Sequence, residues 1–323
     1  MKRIFVAIMA LGALVSCSKD ELVSVNRQAI QFGNAFVENS TRATTDPSLT
    51  ATTLTNFKVW GAITDNSGYL PVFAGETVSG TVGSNAWNCT KTQYWVEDAK
   101  YNFAGLVNAG TVTLGDDKLP ATVAFELGEG NVDLLYARSA TDIVGKASSN
   151  GLVAMNFNHL LSKVKFTVNN TRTATSDYSF EVNNIKVNGP TAGTCALPGK
   201  TWTPTTTGDF EKFTAISLAG DKTSAESASE LLLIPGSVNI TFTVDIKYGE
   251  EIIATHTYTT KAAQTINVGH AYNFVINVSV GDPIQFSVTS VPTWENGNTT
   301  DSDDDDTEKD HIVLPIKAVT TGA

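Results

Sequence analysis

An all-β chain is what the sequence predicts, and three observations predict it. Short runs rich in β-branched and aromatic residues recur along the chain, clusters of turn formers separate them, and helical periodicity is nowhere sustained beyond the short, ambiguous stretch 224–233. The runs are 57–63, 132–137, 163–168, 240–246 and 272–280, several of them alternating in polarity as a half-buried strand does. Turn chemistry lies between them in Asp65-Asn66-Ser67-Gly68, Gly128-Glu129-Gly130 and Asn188-Gly189-Pro190. Short strands and turns at this spacing are the signature of β-sandwiches, and 323 residues are enough for about two domains. The expectation is two sandwiches in tandem, 43–155 and 156–294.

The segments outside those domains have characters of their own. Lys2 and Arg3 precede an apolar run, 5–15, that is too short to span a bilayer and ends in small residues before Cys17, so 1–16 reads as a secretory signal peptide. The ending Leu14-Val15-Ser16-Cys17 resembles a lipobox, in which the cysteine is diacylated and becomes the new N-terminus. An ordinary signal peptide with an incidental cysteine is the alternative. Ser18-Lys19-Asp20-Glu21 then resembles the surface-export signal of lipoproteins in the Bacteroidota. Residues 17–42 form a leader with a strand of its own: Ile30, Phe32 and Phe36 fall on one face at period two. Such a strand should pair with a sheet. Arg42, followed by Ala43, sits in a polar loop between apolar segments, where proteases gain access.

At the other end, 296–310 has nothing apolar to bury and reads as a solvated acidic linker. Apolarity returns at 311–319, where Ile312, Leu314 and Ile316 share a face, and Pro315, lacking an N–H, suits an edge or inserted strand. The tail 295–323 is therefore a linker carrying a candidate donor strand.

Charge narrows the partners. The formal net charge is −11, and eight acids against two lysines from Glu295 onward place about half of the excess in the tail. Nucleic acid needs a basic face and is excluded as a partner. Once the leader is gone only Cys89 and Cys195 remain, and sequence separation leaves a disulfide between them open.

Motifs for catalysis are missing: there is no phosphate-cradling loop ending in Lys, no Gly-x-Ser-x-Gly elbow and no His-Glu-x-x-His. No enzyme activity and no cofactor is expected. His159, His256, His270 and His311 are scattered singly, as polar side chains at strand ends rather than metal ligands. Asp301, Asp303 and Asp305 match the opening of a calcium loop, but Asp306 stands where Gly is required and Ile312 where a bidentate Glu belongs, so no metal site is assigned. Trp60, Trp87, Trp95, Trp202 and Trp294 would be sugar-stacking platforms if exposed, and core residues if not.

Several stretches together resemble the fimbrillins, subunits of the type V pili of Bacteroidales. They are Gln93-Tyr94-Trp95 with Tyr101-Asn102-Phe103-Ala104, then Asp133-Leu134-Leu135-Tyr136-Ala137, then FNHLLSKVKFTV at 157–168. Leu232-Leu233-Ile234-Pro235, Ile266-Asn267-Val268-Gly269-His270-Ala271-Tyr272 and Trp294 follow in order; Val96 departs from the pattern, where relatives often carry Pro. The resemblance implies tandem sandwiches of transthyretin-like topology and export to the outer membrane as a lipoprotein acylated at Cys17. It further implies that an arginine-specific surface protease cuts between Arg42 and Ala43. The first strand then leaves, and the groove it vacates takes a C-terminal strand of the next subunit, here through Ile312, Leu314 and Ile316. The partners so implied are other fimbrial subunits, and the mature form lies in an extracellular fimbria serving adhesion. An anchor subunit would keep its lipid and stay uncut, and a tip subunit would lack the tail. A monomeric surface lipoprotein binding glycan through exposed aromatics is the competing class.

Overall fold

The computed structural model describes residues 27–37, 54–65, 68–80, 87–128, 132–146, 150–172, 177–280, 283–291, 310–314 and 316–318. Among these the chain is all β, in three sheets of eight, six and nine strands, with no helix. The ambiguous stretch 224–233 resolves into two short strands, Ser224–Glu226 and Leu231–Leu233. Both pair with Ser162–Arg172, so tertiary pairing decides what local pattern left open.

The eight-stranded sheet runs in the order Phe32–Val37, Val153–His159, Leu135–Arg138, Lys100–Val107, Asn56–Asp65, Gly68–Ser79 and Asn88–Cys89, with Ile143–Val144 beside Lys100–Val107. Lys100–Val107 is buried at every position after Lys100, which fits a sequence that does not alternate and whose buried polar residue, Asn102, donates to Asp142. Both faces of this sheet are covered. One face holds a core with Phe57, Phe73, Phe103, Trp95 and Phe157; the other sends Trp60, Leu106 and Tyr136 against Val123, Cys195, Leu160 and Leu232.

The six-stranded sheet orders Ser224–Glu226, Ser162–Arg172, Ala271–Ser279, Gln285–Val291 and Asp310–Leu314. The nine-stranded sheet orders Ile316–Ala318, Glu251–Thr260, Gly236–Tyr248, Tyr178–Ala196, Pro120–Glu126 and Thr111–Leu114. Thr201–Phe210 and Ile216–Ala219 also pair with Tyr178–Ala196, and Gln264–Ile266 with Gly236–Tyr248. These two sheets share one core, in which Phe166, Phe274 and Phe286 of the six-stranded sheet meet Phe180 and Phe242 of the nine-stranded one.

The hairpin of Thr111–Leu114 and Pro120–Glu126 departs from chain order. It follows Lys100–Val107 in sequence, yet joins the nine-stranded sheet, with Glu126 opposite Ala192 and Val123 opposite Cys195. Strand Val153–His159 belongs to the first sheet, Leu160 and Leu161 are fully buried, and Ser162–Arg172 starts the second. At this junction the buried His159 Nδ1 lies 2.8 Å from Asp133 Oδ2. Cys89 and Cys195 are both free thiols.

Candidate functional site: the leader-strand groove

The leader segment is built into the first sheet. Ile30 is 4% exposed and Phe32 is 0% exposed. The Phe32 ring meets Phe57, Phe73 and Phe103 edge-on at centroid distances of 6.1, 5.6 and 5.7 Å. Edge-to-face contacts suit the aromatic quadrupole and add to the area that Phe32 buries. Phe32 is thus the plug of an aromatic socket formed by the chain's own strands.

Backbone pairing holds the leader from both sides. Toward residues 87–95, the Ile30 N–H donates to the Gln93 carbonyl at 2.7 Å, Trp95 N–H to Gln28 at 3.1 Å and Trp87 N–H to Phe32 at 2.9 Å. On the opposite side, Val153 N–H donates to the Gln31 carbonyl at 2.8 Å, and the strands run parallel, with Phe32 opposite Val153. The Gln28 amide also donates to the Asn150 carbonyl. Removing this segment would expose an apolar slot flanked by unpaired backbone donors and acceptors, which is a template for another strand.

The walls of the slot come from residues whose local chemistry fits them to it. Trp87 lies against Phe57, with centroids 5.7 Å apart, and approaches Gly80 so closely that a Cβ there would stand 2.4 Å from the indole. Only glycine leaves room. Trp95 stacks edge-on against Tyr101 at 4.7 Å, and the Tyr101 hydroxyl accepts from the Val96 N–H at 2.9 Å. Burial pushes the Tyr101 phenol up from its ordinary value, so it stays a neutral structural group. The motif Gln93-Tyr94-Trp95 is therefore a groove wall, a role its sequence did not reveal.

The leader departs from strict alternation. A register shift between Gly33 and Phe36 puts Phe36 opposite Asn156, an exposed residue, and Val37 opposite Phe157, a buried one. The leader thus carries one extra residue against its partner strand between Gly33 and Phe36, a bulge in the ladder.

Cys17, Arg42 and Ala43 lie outside the described residues. Ile312 and Leu314 occupy Asp310–Leu314, which pairs antiparallel with the last strand of the six-stranded sheet; Ile312 stands opposite Val288 and Leu314 opposite Phe286. Ile316 stands opposite Thr260, where Ile316–Ala318 pairs with the edge of the nine-stranded sheet. The tail thus bridges the edges of two sheets within its own chain. The acidic linker and Trp294 lie outside the described residues.

Other candidates do not assemble into a chemical site. Trp60, Trp87 and Trp95 are buried, and Trp202 is half-buried with its indole N–H donating to the Leu160 carbonyl at 2.7 Å. These four are therefore not surface platforms for sugars. Among the described residues no three His, Cys, Asp or Glu side chains gather as a metal site would require. Burial pushes the Cys195 thiol up to about 12, which keeps it from acting as a nucleophile near neutrality.

An all-β chain with a strand seated in a socket between two sheet edges is the class of protein that this geometry defines. The chain belongs to the Fimbrillin-like family, whose model matches residues 41–294. That span begins after the leader strand and ends before the acidic tail. Its fold is similar to that of a fimbrial protein from Bacteroides vulgatus, at 16% identity and a TM-score of 0.60, covering 83% of this chain and 100% of that one. It is also similar to a protein described as a candidate cell adhesion protein from Bacteroides uniformis, at 18% identity and a TM-score of 0.50, covering 83% of this chain and 99% of that one. No curated protein matches the chain.

Proposed function

We propose that this chain is the precursor of a structural subunit, in the shaft of a cell-surface fimbria, that polymerises by strand exchange after its leader is cut away. The observation that carries the reading is the leader strand itself, with Phe32 fully buried in an aromatic socket and its backbone paired on both sides. Two tandem β-sandwiches of transthyretin-like topology, 43–155 and 156–294, would form the body of the subunit. Cys17 would carry the acyl chains that hold the precursor at the outer membrane, with two or more chains needed for stable attachment. Cleavage between Arg42 and Ala43 by an arginine-specific surface protease would release the leader.

The tail would then supply the replacement. Within one chain it pairs only at sheet edges, and the linker before it provides reach. Seating Ile312, Leu314 and Ile316 in a neighbour's groove would bury apolar surface worth roughly 1.5–3 kcal/mol per side chain, with main-chain bonds adding about 1 kcal/mol each. Such a joint is β-augmentation and dissociates slowly.

Arg42→Ala tests the proposal. The variant should fold, keep its leader and remain monomeric, while the cut wild type forms high-mass polymers; polymers of normal length in the variant would refute the mechanism. The intact mass of the mature protein separates a shaft subunit, starting at Ala43, from an anchor that retains an acylated Cys17.

A further inference from the structure

The nine-stranded sheet carries a cavity of about 620 Å³, none of whose lining residues belongs to the leader groove or pairs with the tail strands. A double irregularity in strand Tyr178–Ala196 builds it. Along one edge of that strand, Ile216–Ala219 pairs with residues 179–182 and Thr201–Phe210 with residues 187–196, so residues 183–186 face a gap that the segment 211–215 crosses. Along the other edge the register shifts: Asn183 pairs with Thr243 but Lys186 with Thr241, leaving Asn184 and Ile185 as a bulge. Asn184 takes the left-handed conformation, with φ of 50°, which asparagine tolerates better than most residues. Bulges of this kind re-aim side chains beside binding sites.

The lining mixes polar and apolar side chains, and around it one ammonium, that of Lys186, stands against the carboxylates of Glu211, Asp209 and Asp245. Thr241 and Thr243 alternate with the core residues Ile240, Phe242 and Val244, so they occupy the face turned away from the core. The Thr243 and Thr257 hydroxyls lie 3.1 Å apart, and Asp245, 8% exposed, accepts from Asn183 at 2.7 Å and Thr255 at 2.6 Å. The ammonium of Lys186 stands 2.7 Å from Glu211 and 3.2 Å from Asp209, so its charge is already matched. The polar part of what faces a ligand is then chiefly hydroxyls and carboxamides, groups able both to donate and to accept. Phe213, 9% exposed and part of the core, closes the floor with its margin and is held by Phe166, edge-on at 4.8 Å.

We propose that this bulge pocket binds a neutral sugar residue of a glycan, with the sugar hydroxyls bonded to Thr243, Thr257 and Asn184 and its C–H groups over the apolar floor at Phe213 and Ala215. A pyranose presents hydroxyls around its rim and an apolar face, which matches this lining. The volume falls in the range of about 300–1,000 Å³ usual for small-molecule sites and accommodates one or two sugar units. Two carboxylates on Lys186, with a third at Asp245, disfavour an anion. The site goes beyond the assembly reading and does not depend on it.

Saturation-transfer difference spectra of the full chain test the assignment, with methyl glycosides of glucose, galactose, mannose, fucose and N-acetylglucosamine at millimolar concentration. At least one should receive saturation. Asn184→Gly keeps the left-handed backbone, and Thr257→Val suits a strand, so both should melt as wild type does by circular dichroism. Each should weaken binding roughly three- to tenfold, as loss of one hydrogen bond does. Absence of transfer from every glycoside, or equal transfer in both variants and wild type, would overturn the proposal. Stronger binding of a methyl glucuronide than of every neutral glycoside would overturn it as well.

Discussion

Replacing Phe32 by Ala should destabilise the chain only while the leader is present. The ring is 0% exposed and touches Phe57, Phe73 and Phe103, none of which can follow it into the space it leaves without abandoning its own contacts. Phe-to-Ala changes in packed cores cost about 3–5 kcal/mol, from lost transfer free energy plus the cavity. With a urea m-value on the order of 3 kcal/mol/M, the unfolding midpoint of the uncut chain should fall by about 1–2 M. In chains cut after Arg42 and freed of the leader peptide, residue 32 is gone, and wild type and variant should unfold at the same denaturant concentration. Paired urea titrations of cut and uncut protein, followed by tryptophan fluorescence, make the comparison. A shift of equal size in the cut pair would mean that the strand stays in its socket after cleavage. A shift below about 1 kcal/mol in the uncut pair would mean that the socket contributes little, against the scale expected for buried aromatics. Either result refutes the argument from the groove.

The other predictions concern the ends of the chain and one thiol. Cys17→Ala should abolish incorporation of a fatty-acid analogue that the wild-type precursor takes up; equal label in both would rule out acylation there. Deleting 311–323 should leave a cleaved, soluble monomer that cannot extend a filament, and Leu314→Asp should do nearly the same, because a lone carboxylate in an apolar groove costs several kcal/mol or takes up a proton. Polymers of the truncated chain, seen by electron microscopy, would move the donor strand elsewhere. For Cys195 the fold favours the neutral thiol, raising its pKa from 9.0 to about 12. The stability this contributes is complete below pH 9, where both states hold the proton, and is lost as pH rises from 9 towards 12, where only the unfolded thiol ionises. In a Cys17→Ala, Cys89→Ser background, Ellman's reagent at pH 8 should react only after urea unfolds the chain, and prompt stoichiometric reaction of the native protein would contradict this.

The sequence by itself determined the all-β class and the strands at 57–63, 163–168, 240–246 and 272–280, whose β-branched and aromatic runs leave the backbone few alternatives. It did not determine Tyr178–Ala196, which runs unbroken through the expected turn Asn188-Gly189-Pro190 because its partners on both sides continue the ladder. It also determined that the leader should pair, since a segment alternating through Ile30 and Phe32 has apolar surface to bury. Family membership was legible too, through motifs such as Asp133-Leu134-Leu135-Tyr136-Ala137, whose Leu134 and Leu135 bury on opposite faces of the first sheet. What tertiary structure alone decided was which strand lies beside which. The hairpin containing Pro120–Glu126 pairs with Tyr178–Ala196, some seventy residues away, although its neighbours in the chain lie in another sheet. Nothing local encodes that choice, since an antiparallel ladder satisfies any strand of matching polarity and the selection comes from the core closed over Val123, Cys195 and Trp60. The bulge after Gly33 and the one at Asn184 escaped for the same reason. Each is one extra residue against a distant partner, visible only when that partner is in place, and each lies at a site where the chain is proposed to act.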